Sequence, residues 1–218
     1  MALDAEHRLV LGVVPGRQSV EHTLELVRDV ARRTGGQPLN LFTSDENPAY
    51  AIALLEVYGV PKQPRRKGRR GPKPRPVKVP PPELVYATVH KTRENNRVVH
   101  VETRRVYGTK AALEEALANS TVSTRVTTVY VERQNGTDRN RNARKVRKTY
   151  CFSKDWEVHE AVTYFTMYSY NFCWPVRTLR EGDRKQGYRQ RTPAMAAGLT
   201  DHIWTLQEWL SFPSVQRK

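Results

Sequence analysis

From Pro61 to Pro82 the chain carries nine basic residues and not one acid, set among prolines and glycines. Lys62, Arg65, Arg66, Lys67, Arg69, Arg70, Lys73, Arg75 and Lys78 leave almost nothing apolar to bury. Such a stretch cannot join a core, so it reads as an irregular, disordered insertion. The fold must then be assembled from what lies on either side of it. At 218 residues the chain is long enough for one sizeable core carrying an insertion.

The flanking segments alternate helix and strand signals, which predicts an α/β fold. Ahead of the basic stretch, Met1–Leu3 ends one strand and Asp4-Ala5-Glu6-His7 turns into a second at Arg8–Val14. Ser19 is placed to cap a helix with Leu24, Val27, Val30 and Ala31 on one face. Leu39–Thr43 is a short buried strand with Ser44-Asp45 at its carboxyl end. A helix follows with Ala51, Leu54, Leu55 and Tyr58 inward, and Gly59 stops it. Beyond the insertion, Leu84–His90 and Val98–Val106 alternate across Glu94-Asn95-Asn96 and read as a hairpin. Thr109 caps a short helix, Val126–Tyr130 is strand-like, and Trp156–Asn171 is a long aromatic-rich helix, its rings read as core packing. Residues 176–218 read as a basic tail with a short terminal motif around Trp204 and Trp209.

The net charge of +15 favours a polyanionic partner, nucleic acid before a membrane surface. No apolar run reaches the length of a spanning helix, and no leader pattern opens the sequence, so the expected setting is the cytoplasm. Cys151 and Cys173 lack metal or redox spacing and read as core thiols.

The candidate chemistry sits in two places. Asp45 ends a strand, where α/β sites form. Glu132 heads a helix within VERQNGTDRNRNARKVRKTYCFSK, followed by Arg133, Arg139, Arg141, Arg144, Lys145, Arg147 and Lys148. Carboxylates over a basic surface are what a metal site beside a phosphate backbone needs. The bland alternatives are a turn-forming Asp and a solvated basic helix.

TSDENPAY (Thr43–Tyr50), VERQN (Val131–Asn135), RNARKVRKTYCFSK (Arg141–Lys154) and WEVHEAVTYFTMYSYNF (Trp156–Phe172) resemble, in this order, the insertion-sequence-one type of bacterial DDE transposase. The resemblance implies a ribonuclease H-like mixed sheet flanked by helices, spanning the whole chain apart from the basic loop and a β-hairpin insertion. It matches Asp45 and Glu132 to the second and third catalytic acids, ligands of Mg²⁺ or Mn²⁺. Asn135, Arg139 and His159 match polar positions near the site. The family's first strand and its Asp have no counterpart, so the expectation is an N-terminally truncated enzyme, weak in metal and inactive alone. Asp4 is read as a turn residue. The expected partner is DNA, both transposon ends and target, held by a homodimer beside the nucleoid without membrane involvement. Arg133, Asn135, Arg139, Arg141, Arg144, Lys145, Arg147 and Lys148 would contact it. So would Arg65, Arg66, Lys67, Arg69 and Arg70 of the loop. The alternatives are a non-catalytic DNA-binding remnant or regulator of transposition and, third, an RNA-associated protein.

Overall fold

The computed structural model describes residues 1–64, 74–146, 148–185 and 187–213. It is of mixed α/β class and divides into two compact units. One comprises residues 16–129, the other residues 1–15 together with 130–218.

The 16–129 unit opens with helix α1, Val20–Arg33. The Ser19 side chain caps it by accepting from the His22 amide, Glu21 sits in its first turn, and Arg32 and Arg33 complement its carboxyl end. Strand β3, Phe42–Ser44, leads into helix α2, Ala49–Tyr58, and the chain returns through β6, Tyr86–Glu94. β3 and β6 run parallel, Phe42 opposite Tyr86 and Ser44 opposite Thr88. β6 then pairs antiparallel with β7, Arg97–Tyr107, which gives a three-stranded sheet with β6 in the centre. The hairpin is therefore rooted in the core rather than added to it. Leu84, Val85, Tyr86, Ala87 and Val89 are buried at its base. Its turn residues Asn95 and Asn96 both take positive φ (48° and 62°), as a tight hairpin connection of matching twist requires. One core cluster joins Val27 and Ala31 of α1, Ala53, Leu54 and Tyr58 of α2, and Leu84 and Tyr86.

The flanks of the basic stretch are ordered, against the expectation of an irregular segment throughout. β4, Val60–Lys62, pairs antiparallel with β5, Val77–Val79. The Lys78 ammonium lies 2.7 Å from the Glu56 carboxylate at the end of α2 and also donates to the Glu56 carbonyl. β-Branched residues and one ion pair suffice to close the ribbon despite its prolines. Helix α3, Lys110–Ala118, follows the hairpin under a Thr109 cap. Before it, Gly108 holds φ +83°, and a Cβ there would lie 3.2 Å from the Val85 Cα. Gly108→Ala is expected to destabilise the protein by about 1 kcal/mol or more, read from the thermal midpoint.

No strand forms at Val126–Tyr130. The Thr127 side chain accepts from the Val129 amide and the Thr43 hydroxyl bonds the Thr127 carbonyl, so local bonds replace a ladder and a helix starts at Val129.

In the other unit, β1 (Ala2–Asp4) and β2 (Leu9–Gly12) form a hairpin. Its turn is tied by Asp4, whose carboxylate accepts from the Glu6 amide at 2.8 Å and meets His7 Nδ1 at 2.5 Å. Helix α4 spans Val129–Arg141, a 3-10 turn spans Ala143–Lys145, and α5 spans Trp156–Cys173 with Asp155 as its cap. Val10 and Val13 pack on Met167 and Tyr170 of α5.

Residues 176–213 are more than a tail. β8 (Glu181–Asp183) and β9 (Gly187–Arg189) pair, and α6 (Pro193–Ala196) is buried through Pro193, Ala194 and Met195. Helix α7, Leu206–Ser211, starts in a Thr205–Glu208 capping box. Trp209 meets Phe165 edge-on at 5.4 Å, and Trp204 lies 4.9 Å from Phe172. This segment covers part of the aromatic face of α5, yet Trp156 stays 55% and Phe165 38% exposed, so the stripe is not the core packing expected of it.

Candidate functional site

Asp45 lies immediately beyond β3, where the alternation of elements puts it. It is exposed, and Oδ1 accepts from the Asn47 amide at 3.3 Å, so the residue also forms a turn. Two phenols stand close to it. Burial pushes both Tyr50 and Tyr86 above the usual tyrosine range, and the Asp45 charge adds to it. Tyr86 is tied to the Ser44 hydroxyl at 2.6 Å. Neighbouring Glu46 is already engaged, 3.4 Å from His90 Nδ1 and accepting from the Lys91 amide.

Glu132 lies in the first turn of α4, exposed to solvent. Helical spacing places Asn135 and Arg139 on the same side, and both are exposed as well. The opposite side carries Gln134, Asp138 and Arg141, turned inward. α4 is thus a helix with one polar face in water and another polar face in the protein.

The inward face forms a network. Asp138 Oδ2 lies 2.7 Å from the Lys145 ammonium, with the two side chains only 7% and 18% exposed. Its Oδ1 accepts from Thr166 of α5 at 3.3 Å. Arg141 donates to the Thr166 carbonyl at 3.2 Å and lies 4.4 Å over the Trp174 ring. Burial lowers the Arg141 guanidinium from its ordinary value, against smaller opposing effects of Tyr170, Asp138 and Cys173. Sequence reasoning gives Glu132 the whole carboxylate role in this stretch and gives Asp138 none. The signal that finds Asp138 is the second polar row, Gln134, Asp138 and Arg141, at helical spacing.

The other candidate residues separate. Arg133, Arg144 and Lys148 are exposed, while the Lys145 charge is largely cancelled by Asp138. His159 is half-buried, its Nδ1 at 3.0 Å from the Ser153 hydroxyl, with its ring stacked on Trp156. Arg147 and Arg65, Arg66, Lys67, Arg69 and Arg70 lie outside the described residues. Cys151 is exposed and Cys173 half-buried, so neither is the core thiol expected of it. Cys151 falls in the polar connection ahead of α5, where no apolar layer covers it.

Asp45 belongs to the 16–129 unit and Glu132 to the other. Among the described residues no three His, Cys, Asp or Glu side chains gather as a metal-holding group. The carboxylates of either unit therefore do not by themselves make the ligand set a hard divalent cation takes. No helix among the described residues is long and apolar enough to cross a membrane. Compared with protein-family models, curated proteins and solved structures, the chain matches none.

Proposed function

We propose that this protein binds DNA in transposition, as a DDE transposase of the insertion-sequence-one type, with a ribonuclease H-like catalytic domain. The observation that carries the reading is the outer face of α4. Glu132, Asn135 and Arg139 stand in one exposed row, as the family motif requires, with Arg133 beside them. Asp45 supports it from the end of a strand whose neighbour β6 runs parallel. The charge of +15 supports a polyphosphate partner. In this reading Asp45 and Glu132 are the candidate Mg²⁺ or Mn²⁺ ligands, and the metal would stabilise charge on the phosphodiester oxygens when bound. Exposed Arg and Lys side chains would position the strand by its phosphates.

A second reading is a non-catalytic DNA-binding regulator of transposition. The lack of a three-membered ligand group among the described residues favours it. Glu132→Gln separates the two. In the enzyme it abolishes Mg²⁺-dependent nicking of a duplex and leaves affinity equal or slightly higher, since one negative charge is gone. If the unaltered protein binds duplex DNA, never nicks it, and its affinity shows the same Mg²⁺ dependence with and without Glu132→Gln, the regulator reading takes over. If structured RNA displaces duplex DNA in competition, both give way to an RNA-binding protein.

A further inference from the structure

Between the carboxyl end of α4 and the amino end of α5 lies an open cavity of about 640 Å³. Arg141, Arg144 and Lys154 line it, with Asn142 and Cys151 beside them and Phe152, Val158 and Val162 as apolar wall. Among the described residues the side chains of Arg144 and Lys154 have no carboxylate partner, and the Arg141 guanidinium donates only to the Thr166 carbonyl. Asp155 is also on the wall, but its Oδ1 accepts from the Val158 amide as the cap of α5. Asn142 is 3% exposed, its Oδ1 accepts from the Arg144 amide at 3.1 Å, and its Nδ2 has no partner. Buried amide donors are rarely left unpaired, and the Arg141 guanidinium, over the Trp174 ring and near the Asp138 charge, has a carbonyl as its one hydrogen-bond acceptor among the described residues.

We propose that this cavity binds a phosphate group: Arg144 and Lys154 pair with its charge, Arg141 stands behind them, Asn142 is an uncharged donor, and Phe152 offers a face to the adjoining sugar or base. The inference rests on the DNA reading for its partner, a strand or strand end of DNA. A free inorganic phosphate would use the same chemistry.

Cys151 reports occupancy directly. It is exposed on the cavity wall, while the half-buried Cys173 is an internal reference. The full chain is alkylated in the presence of duplex DNA or pyrophosphate, and modification at each cysteine is measured by mass spectrometry. At a duplex concentration about ten times its Kd, Cys151 should react about tenfold more slowly, with Cys173 unchanged. Exchanging both Arg144→Ala and Lys154→Ala should reduce the slope of log K against log salt by about two, without loss of the folded state.

If the protein binds duplex DNA with Cys151 unprotected, or with the salt slope unchanged in the double variant, the cavity assignment is overturned and the DNA reading stands. Protection by pyrophosphate without any duplex binding keeps the anion site and overturns the DNA reading. Neither binding nor protection overturns both.

Discussion

Asn171→Leu should destabilise the protein by about 2–5 kcal/mol, since two buried backbone groups lose their partners at once. Asn171 is 4% exposed on α5. Its Oδ1 accepts from the Val10 amide and its Nδ2 donates to the Val10 carbonyl, each at 2.9 Å. One side-chain amide thus replaces the strand that would otherwise pair with β2 at this point. Leucine keeps the branched shape but puts bulkier methyl groups at the two 2.9 Å contacts, so crowding adds to the cost of the orphaned N–H and C=O. A loss of that size is a large part of the ~5–15 kcal/mol that holds a typical domain together. The measurement is the urea midpoint at unchanged slope, followed by tryptophan fluorescence.

Asn171→Asp adds a pH test. The new carboxyl is buried, so its folded-state pKa lies above the unfolded value. A group shifted in that direction stabilises the fold fully below its unfolded pKa, and loses that contribution as pH rises through the folded pKa. Only the protonated acid can still donate to the Val10 carbonyl. The variant should therefore recover toward the native midpoint on acidification and be worst at neutral pH. Equal damage at all pH values would mean that the Val10 pairing is not what Asn171 contributes.

Asp138→Ala is expected to cost about 3 kcal/mol, because it strands the Lys145 ammonium beside a half-buried Arg141. Lys145 keeps some contact with water, which puts the effect at the lower end for a broken buried pair. Lys145→Met alone should cost at least as much, since it strands the more buried Asp138 carboxylate, whose Thr166 hydroxyl partner is shared with the Val162 and Thr163 carbonyls. The double variant Asp138→Ala with Lys145→Met should fall well short of the sum of the two losses, and that shortfall is the coupling energy. Additive losses would show that the pair is incidental. The same geometry sets a functional contrast: Lys145→Met should change DNA affinity less than Arg144→Ala, because the Lys145 charge is already answered inside the protein.

Several elements were legible because their signals are local. Ser19, Thr109 and the α5 start are marked by short polar caps, and Asn95-Asn96 by tolerance of positive φ. Asp4 as a turn residue and Asp45 as a strand-end residue follow from the same kind of short-range chemistry. The inward set of α2 was only half legible. Ala53 takes the buried place expected of Leu55, since the tight approach of α1 favours a small side chain. Residues 176–213 look polar in isolation, yet they carry the rings and the buried α6 that close over α5.

Spacing along the chain marked most of the helices, their caps and the turns, because each depends on residues a few positions apart, but it put a strand at Val126–Tyr130 and missed the β4–β5 ribbon. It could not settle the pairing of Asn171 with Val10, 161 residues away, or of Asp138 with Lys145 and Thr166. Nor could it turn the β6–β7 hairpin from an appendage into the centre and one edge of a three-stranded sheet, or bring Arg144, Asn142 and Lys154 around one cavity. Those outcomes depend on which buried polar groups meet once the chain has closed on itself. A hydrogen-bonding side chain carries no mark of its distant partner.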